Sequence, residues 1–462
     1  MNIYAIILAA GKGTRMKSLD QSHSKVSHPI LGMSLVQYVL RALKPIQPTE
    51  TFAIVGFGGE VTTQLVQDSA KVVWQHEQKG TGHAVQQVAP FLSGKEGTTI
   101  VLCGDTPLLT SQTLSSLLDE HIQNKHDLTV LTCIIDQPKG YGRIVRDKKG
   151  LVDRIVEQAD ATLEEQGIRE VNTGVYVFNN RLLFEQLVHL SGNNKQGELY
   201  LTDVIKMFKN KGYHVGASIL PDSREMLGIN DRVQLSEATK IMKLRINRDL
   251  MLSGVTIEDP DNTYIGPEVV IGQDSVIRPG TRILGKTTLG KANVVGPETS
   301  IENTLIGDNN TIVKSQIVDC HIGNDNQIGP FTHLRGHCEI GNKTRVGNFV
   351  EMKNGHLYDG VKAAHLTYIG DCTIGENTNI GCGTITANYD GKHKYHTEIG
   401  KNVFVGSGST LIAPITLADN SFVAAGSTLT TDVGEDDLAI ARARQENKIG
   451  YAKVLKAKIN SK

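Results

Sequence analysis

Over the first half of the chain, short apolar runs alternate with segments whose apolar residues return every three or four positions. IYAIIL, ETFAIVG, AKVVWQ, TTIVLCGD and DLTVLTCII predict buried strands; SLVQYVLRAL, GHAVQQVAPFL and SQTLSSLLDEHIQ predict amphipathic helices between them. This alternation, continuing to about Gly228, predicts a Rossmann-like α/β domain with a mostly parallel sheet covered on both faces. Ligands of such sheets bind at the carboxyl ends of the strands. From Asn230 to Leu252 there is neither glycine nor proline, and Leu235, Ala238, Ile241, Leu244 and Ile246 give a rough helical stripe. This stretch predicts a long connecting helix.

A different pattern follows. A small aliphatic residue returns every six positions at Ile265, Ile271, Ile277, Ile283, Leu289, Val295 and Ile301, often with glycine behind it. After shifts of five the beat resumes at Ile322, Ile328, Leu334, Ile340 and Val346, and again from Ile399 through Val405, Leu411, Leu417, Val423 and Leu429. A six-residue period held this long predicts a left-handed parallel β-helix of hexapeptide repeats, each hexad giving one short strand and one turn. Glu351–Thr367 and Thr386–Glu398 break the beat and are expected to be inserted loops, where solenoids commonly carry function. The expected organisation is residues 1–229, a linker helix 230–252, and a β-helix with its tail over 253–462.

Composition narrows the function classes. A net charge of −1 over 462 residues gives no electrostatic reason to expect nucleic acid or an anionic membrane as a partner. The six cysteines are scattered without a C-x-x-C pair, which disfavours a zinc site or a disulfide framework and fits a reducing cytoplasm. No apolar run approaches the ~18–20 residues that cross a bilayer. The first apolar run enters a glycine loop and reads as a strand, not a signal peptide. Forty-seven glycines and 5% aromatics fit a narrow prism with tight turns. The basic tail KIGYAKVLKAKINSK reads as a solvated end.

The loop LAAGKGTRM, at the end of the first strand, is neither a Walker A motif nor a dinucleotide fingerprint. Lys12 lies between Gly11 and Gly13, and Met16 stands where a third glycine is needed. What remains is a tight turn whose N–H groups can approach an anion, with Arg15 to neutralise charge. Asp105 follows the strand TTIVL and is placed for Mg²⁺ carried by a phosphate substrate, since that ion takes one or two protein oxygens and keeps water. In the second half, His365 and Tyr368 fall together in AHLTYIGD, and Arg335, Lys353 and Lys394 are cations suited to a phosphate. Histidine is the natural proton acceptor near neutral pH.

L-A-A-G-x-G-T-R-M followed by Lys25 resembles the signature of sugar-nucleotide pyrophosphorylases. With QHEQKGTGHA, CGDTPL, GYGRI, IVEQADAT, VNTG, GIND and the hexapeptide half, nearly the whole chain is similar to one family: bifunctional N-acetylglucosamine-1-phosphate uridylyltransferases / glucosamine-1-phosphate N-acetyltransferases. The resemblance implies that Leu8, Ala10 and Gly11 line the nucleotide, that Arg15 and Lys25 clamp its phosphates, and that Gln75, Gly80, Thr81 and Gly82 read the uracil. It gives Gly142, Glu157 and Asn172 to the N-acetylglucosamine, and Asp105 with Asn230 to Mg²⁺. In the second site it makes His365 the base. Arg335, Lys353, Tyr368, Asn379, Asn388 and Lys394 would hold glucosamine-1-phosphate, with Asn388 also helping to activate the amine. Cys382, Asn388, Tyr389, Ser407, Ala425 and Arg442 would line acetyl-coenzyme A. The implied substrates are UTP, N-acetylglucosamine-1-phosphate, glucosamine-1-phosphate and acetyl-coenzyme A, and the implied assembly is a homotrimer.

Three departures accompany the resemblance. Ser24 replaces the usual proline before Lys25, in a longer loop. Gly336-His337 follows Arg335 in place of Pro-Gly. Cys382 stands where alanine is common, and is expected either to pack as a small apolar residue or to be open to modification. Two other readings stay open: a single-activity nucleotidyltransferase with a structural β-helix, and a non-catalytic scaffold.

Overall fold

The computed structural model describes residues 2–20 and 22–461. In the nine-stranded sheet of the first unit the strands are β1 (Ile3–Ala9), β2 (Glu50–Val55), β3 (Lys71–Trp74), β4 (Thr98–Cys103), β5 (Leu128–Ile134), β6 (Arg143–Arg146), β7 (Val152–Val156), β8 (Glu170–Asn179) and β9 (Val215–Ile219). The main sheet runs β9-β5-β8-β4-β1-β2-β3, and β6 and β7 form a hairpin on β8. Neighbours pair in parallel except β8, which is antiparallel to both β4 and β5. Helices cover both faces, and Ile6, Phe52, Val101 on one face and Ile7, Ala53, Leu102 on the other belong to two separate cores. Period-two alternation in strands sandwiched between helices requires this, because both faces must be apolar. The expected helix over GHAVQQVAPFL is broken into Thr81–Gln86 and Ala89–Leu92, with Pro90 opening the second piece.

The sheet grows outward from β1 through β2 to β3 and then returns to β4 on the other side of β1. Chain direction therefore switches between β1 and β4, and loops leaving their carboxyl ends diverge to leave a crevice. The glycine loop after Ala9 and Asp105 after Cys103 both open into it.

A helix spans Arg232–Leu252, and the division into two compact units falls within it, after Arg245. The second unit is built from 26 described strands, from Thr256–Ile257 to Leu438–Ala439, each of two or three residues in most coils. Strands pair in parallel with the third one along, which defines a coil of three strands. The beat residues Ile265, Ile277, Ile283, Val295, Ile301, Ile322, Leu334, Val346, Val405, Leu411 and Val423 lie in one continuous buried core. Each fully buried aliphatic contributes ~1.5–3 kcal/mol by leaving water.

One expected insertion is real and the other is not. Glu351–Thr367 does not leave the prism. Arg345–Leu357 and Lys362–Ile374 are long strands that pair residue by residue, with Val346 against Ala363, Val350 against Thr367 and Leu357 against Ile374. The coil simply takes 17 residues here: Met352 keeps the six-residue beat, and Val350, Leu357, Val361 and Ala363 fill the core off it. Thr386–Glu398 does contain an excursion. Asn379 pairs with Phe404 and Cys372 with Thr397, a stride of 25, so the extra residues leave the prism between Asn388 and Thr397. An antiparallel bridge between Tyr389 and Lys394 pins this loop, and Asp390 caps it by accepting from the N–H groups of Lys392 and His393 at 2.7 and 2.6 Å.

Candidate active sites

Four side chains far apart in sequence meet at the mouth of the first unit. Lys25 Nζ donates to Asp105 Oδ2 and, at 3.0 Å, to Asn230 Oδ1. Arg15 Nη2 donates to the same Asn230 oxygen at 2.9 Å. Backbone links hold the cluster: Gly104 N–H donates to Leu8 C=O at 2.9 Å, and Ile229 N–H to Asp105 C=O at 2.9 Å. Gly13 adopts φ +59, and a Cβ there would stand 2.7 Å from Lys25 Cβ, so glycine lets the loop close on Lys25. Gly11 has open space where its Cβ would be. Asp105 and Asn230 each offer a hard oxygen to one shared ammonium, the donor type that Mg²⁺ takes.

Gln75 is buried at the end of β3 and donates from Nε2 to Gly80 C=O at 3.1 Å. Gly80 has φ +106, and a Cβ on it would meet Leu199 C=O at 2.6 Å. Thr81 Oγ1 accepts from Leu201 N–H at 3.0 Å, and Thr202 Oγ1 donates to Glu157 Oε1 at 3.1 Å. The segment 199–202 thus joins the uracil-loop candidates to Glu157. Asn172 N–H donates to Gly142 C=O at 2.9 Å, and Glu157 Oε2 lies where a Gly142 Cβ would nearly touch it, at 3.3 Å. The three sugar candidates therefore line one place. Burial holds the Glu157 carboxyl above the usual carboxylate range, against the opposing hydrogen bond from Thr202.

The second unit builds its site by stacking. His365 pairs in register with Asn348 of the preceding coil, and its Nδ1 lies 3.1 Å from Asn348 Oδ1. An amide oxygen only accepts, so Nδ1 carries the proton and Nε2 keeps its lone pair for a base's work. On the coils below, Gly383 N–H donates to Leu366 C=O, Gly408 N–H to Cys382 C=O and Gly426 N–H to Ser407 C=O, and Arg442 Nη1 reaches Ala425 C=O at 2.6 Å. Asn348, His365, Cys382, Ser407, Ala425 and Arg442 therefore descend one edge of the prism, about 4.8 Å per coil. Cys382 is exposed, not packed.

The cations form a neighbouring group. Arg335 pairs in register with Lys353, and its Nε and Nη2 donate to Glu351 Oε1 at 3.1 and 2.6 Å. Lys394, on the excursion, stands beside Lys353 and, with Arg335 behind it, holds that ammonium below its usual range. Like charges brought together on an exposed surface suit an anion that bridges them. Tyr368 Oη and Asn388 Nδ2 both lie over Gly370, where a Cβ would meet them at 2.5 and 2.7 Å. Asn388 Nδ2 also donates to Asp371 Oδ2 at 2.5 Å. Asn379 pairs with Lys362 and Phe404, and Tyr389 with Lys394, as part of the same coils.

Comparison with known proteins matches the two halves separately and the chain as a whole. The nucleotidyl transferase family model covers residues 4–224, and the bacterial transferase hexapeptide model (six repeats) covers 319–354 and 396–431. A "Bifunctional protein GlmU" from a Geobacillus species is 50% identical over 458 residues, covering 99% of both chains. Those from an Exiguobacterium species and Listeria monocytogenes are 51% and 47% identical, covering 98% of this chain and 100% and 98% of theirs. The chain belongs to the bifunctional GlmU family. Its second unit is thus the left-handed parallel β-helix that the hexapeptide beat predicted.

Membership of the GlmU family does not by itself reveal three side chains that the sequence reading passed over: Asn348, Glu351 and Asp371. Each sits 17 residues before a site candidate, His365, Tyr368 or Asn388, and so one coil above it. Counting back one coil length would have found all three. The Ser24 departure is accommodated: its hydroxyl is buried and lies 2.7 Å from Thr62 Oγ1.

Proposed function

We propose that the two clusters divide the work of one bifunctional enzyme that makes UDP-N-acetylglucosamine. The β-helix site acetylates glucosamine-1-phosphate from acetyl-coenzyme A, and the crevice site transfers UMP from UTP to the N-acetylated product, releasing pyrophosphate. The observation that carries this reading is the convergence of Arg15, Lys25, Asp105 and Asn230 in one unit and of the His365 column with Arg335, Lys353 and Lys394 in the other.

At the crevice, the sugar phosphate oxygen is already ionised and attacks the α-phosphorus in line, so positioning and charge neutralisation suffice. Arg15 and Lys25 neutralise the phosphates, Gln75 with Gly80–Gly82 holds the uracil, and Leu8, Ala10 and Gly11 leave room for the nucleotide. Gly142, Glu157 and Asn172 orient the sugar. Asp105 and Asn230 would hold Mg²⁺, which supplies further charge neutralisation on the triphosphate. On the β-helix, Arg335, Lys353, Tyr368, Asn379 and Lys394 seat glucosamine-1-phosphate. His365 Nε2 takes the amine's proton as nitrogen attacks the thioester carbon, with Asn388 steadying the amine; the C–S bond then breaks, the amide remains on the sugar, and coenzyme A leaves as the thiol with that proton. Cys382, Asn388, Tyr389, Ser407, Ala425 and Arg442 line the coenzyme.

We assign the domains as residues 1–229, 230–252 and 253–462, and the assembly as a cytoplasmic homotrimer. Among the described residues no helix is long and apolar enough to cross a membrane. A trimer is supported by Phe331, Phe349 and Leu366, bulky side chains in left-handed turns that stand exposed next to the His365 column, with the two rings stacked at 5.1 Å. Coenzyme A release that needs glucosamine-1-phosphate but not UTP tests the reading. Absence of release from folded protein would leave only the nucleotidyltransferase.

Two further outcomes follow from the geometry. Asn348→Ala should lower acetyl transfer by up to about tenfold, the worth of one neutral hydrogen bond of ~0.5–1.5 kcal/mol, without touching uridylyl transfer. Coenzyme A release and pyrophosphate release, measured side by side, check it. Glu157→Gln keeps an acceptor for Thr202 but cannot ionise. Because the fold raises this carboxyl, its ionised form costs stability as pH rises above 4.5. The variant should therefore melt higher than wild type at neutral pH and equally at pH 4.5 and below. Its KM for N-acetylglucosamine-1-phosphate should rise roughly 10- to 100-fold, the loss of a charged hydrogen bond of ~1.5–3 kcal/mol.

A further inference from the structure

The crevice holds one costly feature that the reaction as described does not use. Arg143, in the GYGRI motif, is the largest fully buried side chain and is 1% exposed. Among the described residues its guanidinium has no carboxylate partner. Nη1 donates to Tyr141 C=O, Nη2 to Gln158 Oε1 at 2.8 Å and to Gln166 C=O at 3.4 Å, and Nε has no partner among the described residues. Burial alone pushes its pKa down, with no opposing charge to hold it. Burying a charge among neutral acceptors is expensive, and an apolar side chain of similar volume is often as stable or more so. Stability therefore does not account for arginine here.

The acceptors show what the fork does. Tyr141 lies between Gly140 and Gly142, and Gln158 follows Glu157. Gln158 Oε1 accepts from Gly140 N–H at 3.0 Å as well as from Arg143. In register Arg143 opposes Val156 on β7 and Val171 on β8, the residues before Glu157 and Asn172. One planar group thus ties the Gly140–Gly142 turn to the strand ends that carry Glu157 and Asn172. The same turn faces the reacting centre: burial and then the Asp105 carboxylate raise the Tyr141 phenol.

We propose that Arg143 is a positioning residue for N-acetylglucosamine-1-phosphate. Its guanidinium fixes the Gly140–Gly142 turn against Gln158 and so sets the width of the sugar pocket between Gly142, Glu157 and Asn172. Lysine cannot replace it, since one ammonium does not reproduce the two-pronged geometry. The inference rests on the assignment of that pocket to the sugar phosphate.

The test is the separate KM for each substrate of uridylyl transfer, with melting temperatures, for Arg143→Met, Arg143→Lys, Gln158→Leu and Glu157→Gln in the full chain. Arg143→Met should raise KM for the sugar phosphate tenfold or more, change KM for UTP less than twofold, and not lower the melting temperature. Arg143→Lys should not rescue it. Gln158→Leu should show the same one-sided effect, and the Arg143→Met/Gln158→Leu double variant should be little worse than either alone. A merely structural arginine would instead lower the melting temperature and the active fraction with both KM values intact. That result overturns the proposal, as does an unchanged KM for the sugar phosphate where Glu157→Gln raises it. If Glu157→Gln leaves it unchanged too, the pocket assignment itself is wrong.

Discussion

His365→Ala should lose acetyl transfer by about 10²- to 10⁴-fold, the range of a positioned general base, while uridylyl transfer stays at the wild-type rate. The geometry makes the effect specific. Among the described residues His365 has one ring nitrogen engaged by Asn348 and no partner on the other, in an exposed position in the column that runs from Asn348 to Arg442. It adds nothing to the β-helix core, which is filled by residues such as Val346, Ala363 and Ile369 on the same coils. Alanine there leaves no cavity. The variant should melt like wild type, and free thiol formed from acetyl-coenzyme A and glucosamine-1-phosphate should be the readout that collapses.

The mirror result is expected for Asp105→Ala. Asp105 is the only carboxylate among the four side chains at the crevice mouth, and Lys25 is bound to it. Its loss removes an anionic oxygen for Mg²⁺ and releases the lysine from its fixed position. Pyrophosphate release should fall by about 10²- to 10³-fold, the usual cost of one preorganised electrostatic group. The effect should sit mainly in kcat, because removing a negative charge also eases the approach of a triphosphate. Acetyl transfer should be unchanged, since Asp105 lies in a unit that shares no residue with the His365 column.

Much of this was legible along the chain, for physical reasons. A six-residue beat can be read because a prism core admits one aliphatic per face, and nearly every beat residue is buried. It failed at Glu351–Thr367 because a 17-residue coil shifts the phase while Met352, Leu357 and Val361 keep the core filled. Spacing alone cannot separate a shortened coil from a loop. The excursion after Asn388 was correctly suspected, its run of lysine, histidine and tyrosine being unfit for the core. In the first unit the alternation of strands and helices gave the parallel sheet. It could not give the antiparallel insertion of Glu170–Asn179 between β4 and β5, since pairing direction leaves no local signature in a fully buried strand. The Arg15–Asn230 contact joins residues 215 apart and needed the fold to appear. Asn348, Glu351 and Asp371 belong to no linear motif; only the 17-residue offset of one coil ties them to their site neighbours.

The claim that two independent sites serve one product is tested most directly by mixing. Asp105→Ala protein and His365→Ala protein are each given glucosamine-1-phosphate, acetyl-coenzyme A, UTP and Mg²⁺, then combined. Each alone should form almost no UDP-N-acetylglucosamine. The mixture should form it at a rate close to that expected from the intact site each still carries, because the acetylated sugar phosphate can leave one site and enter the other. A mixture as inactive as its components, with both proteins folded and each retaining its own half-reaction, would contradict the account.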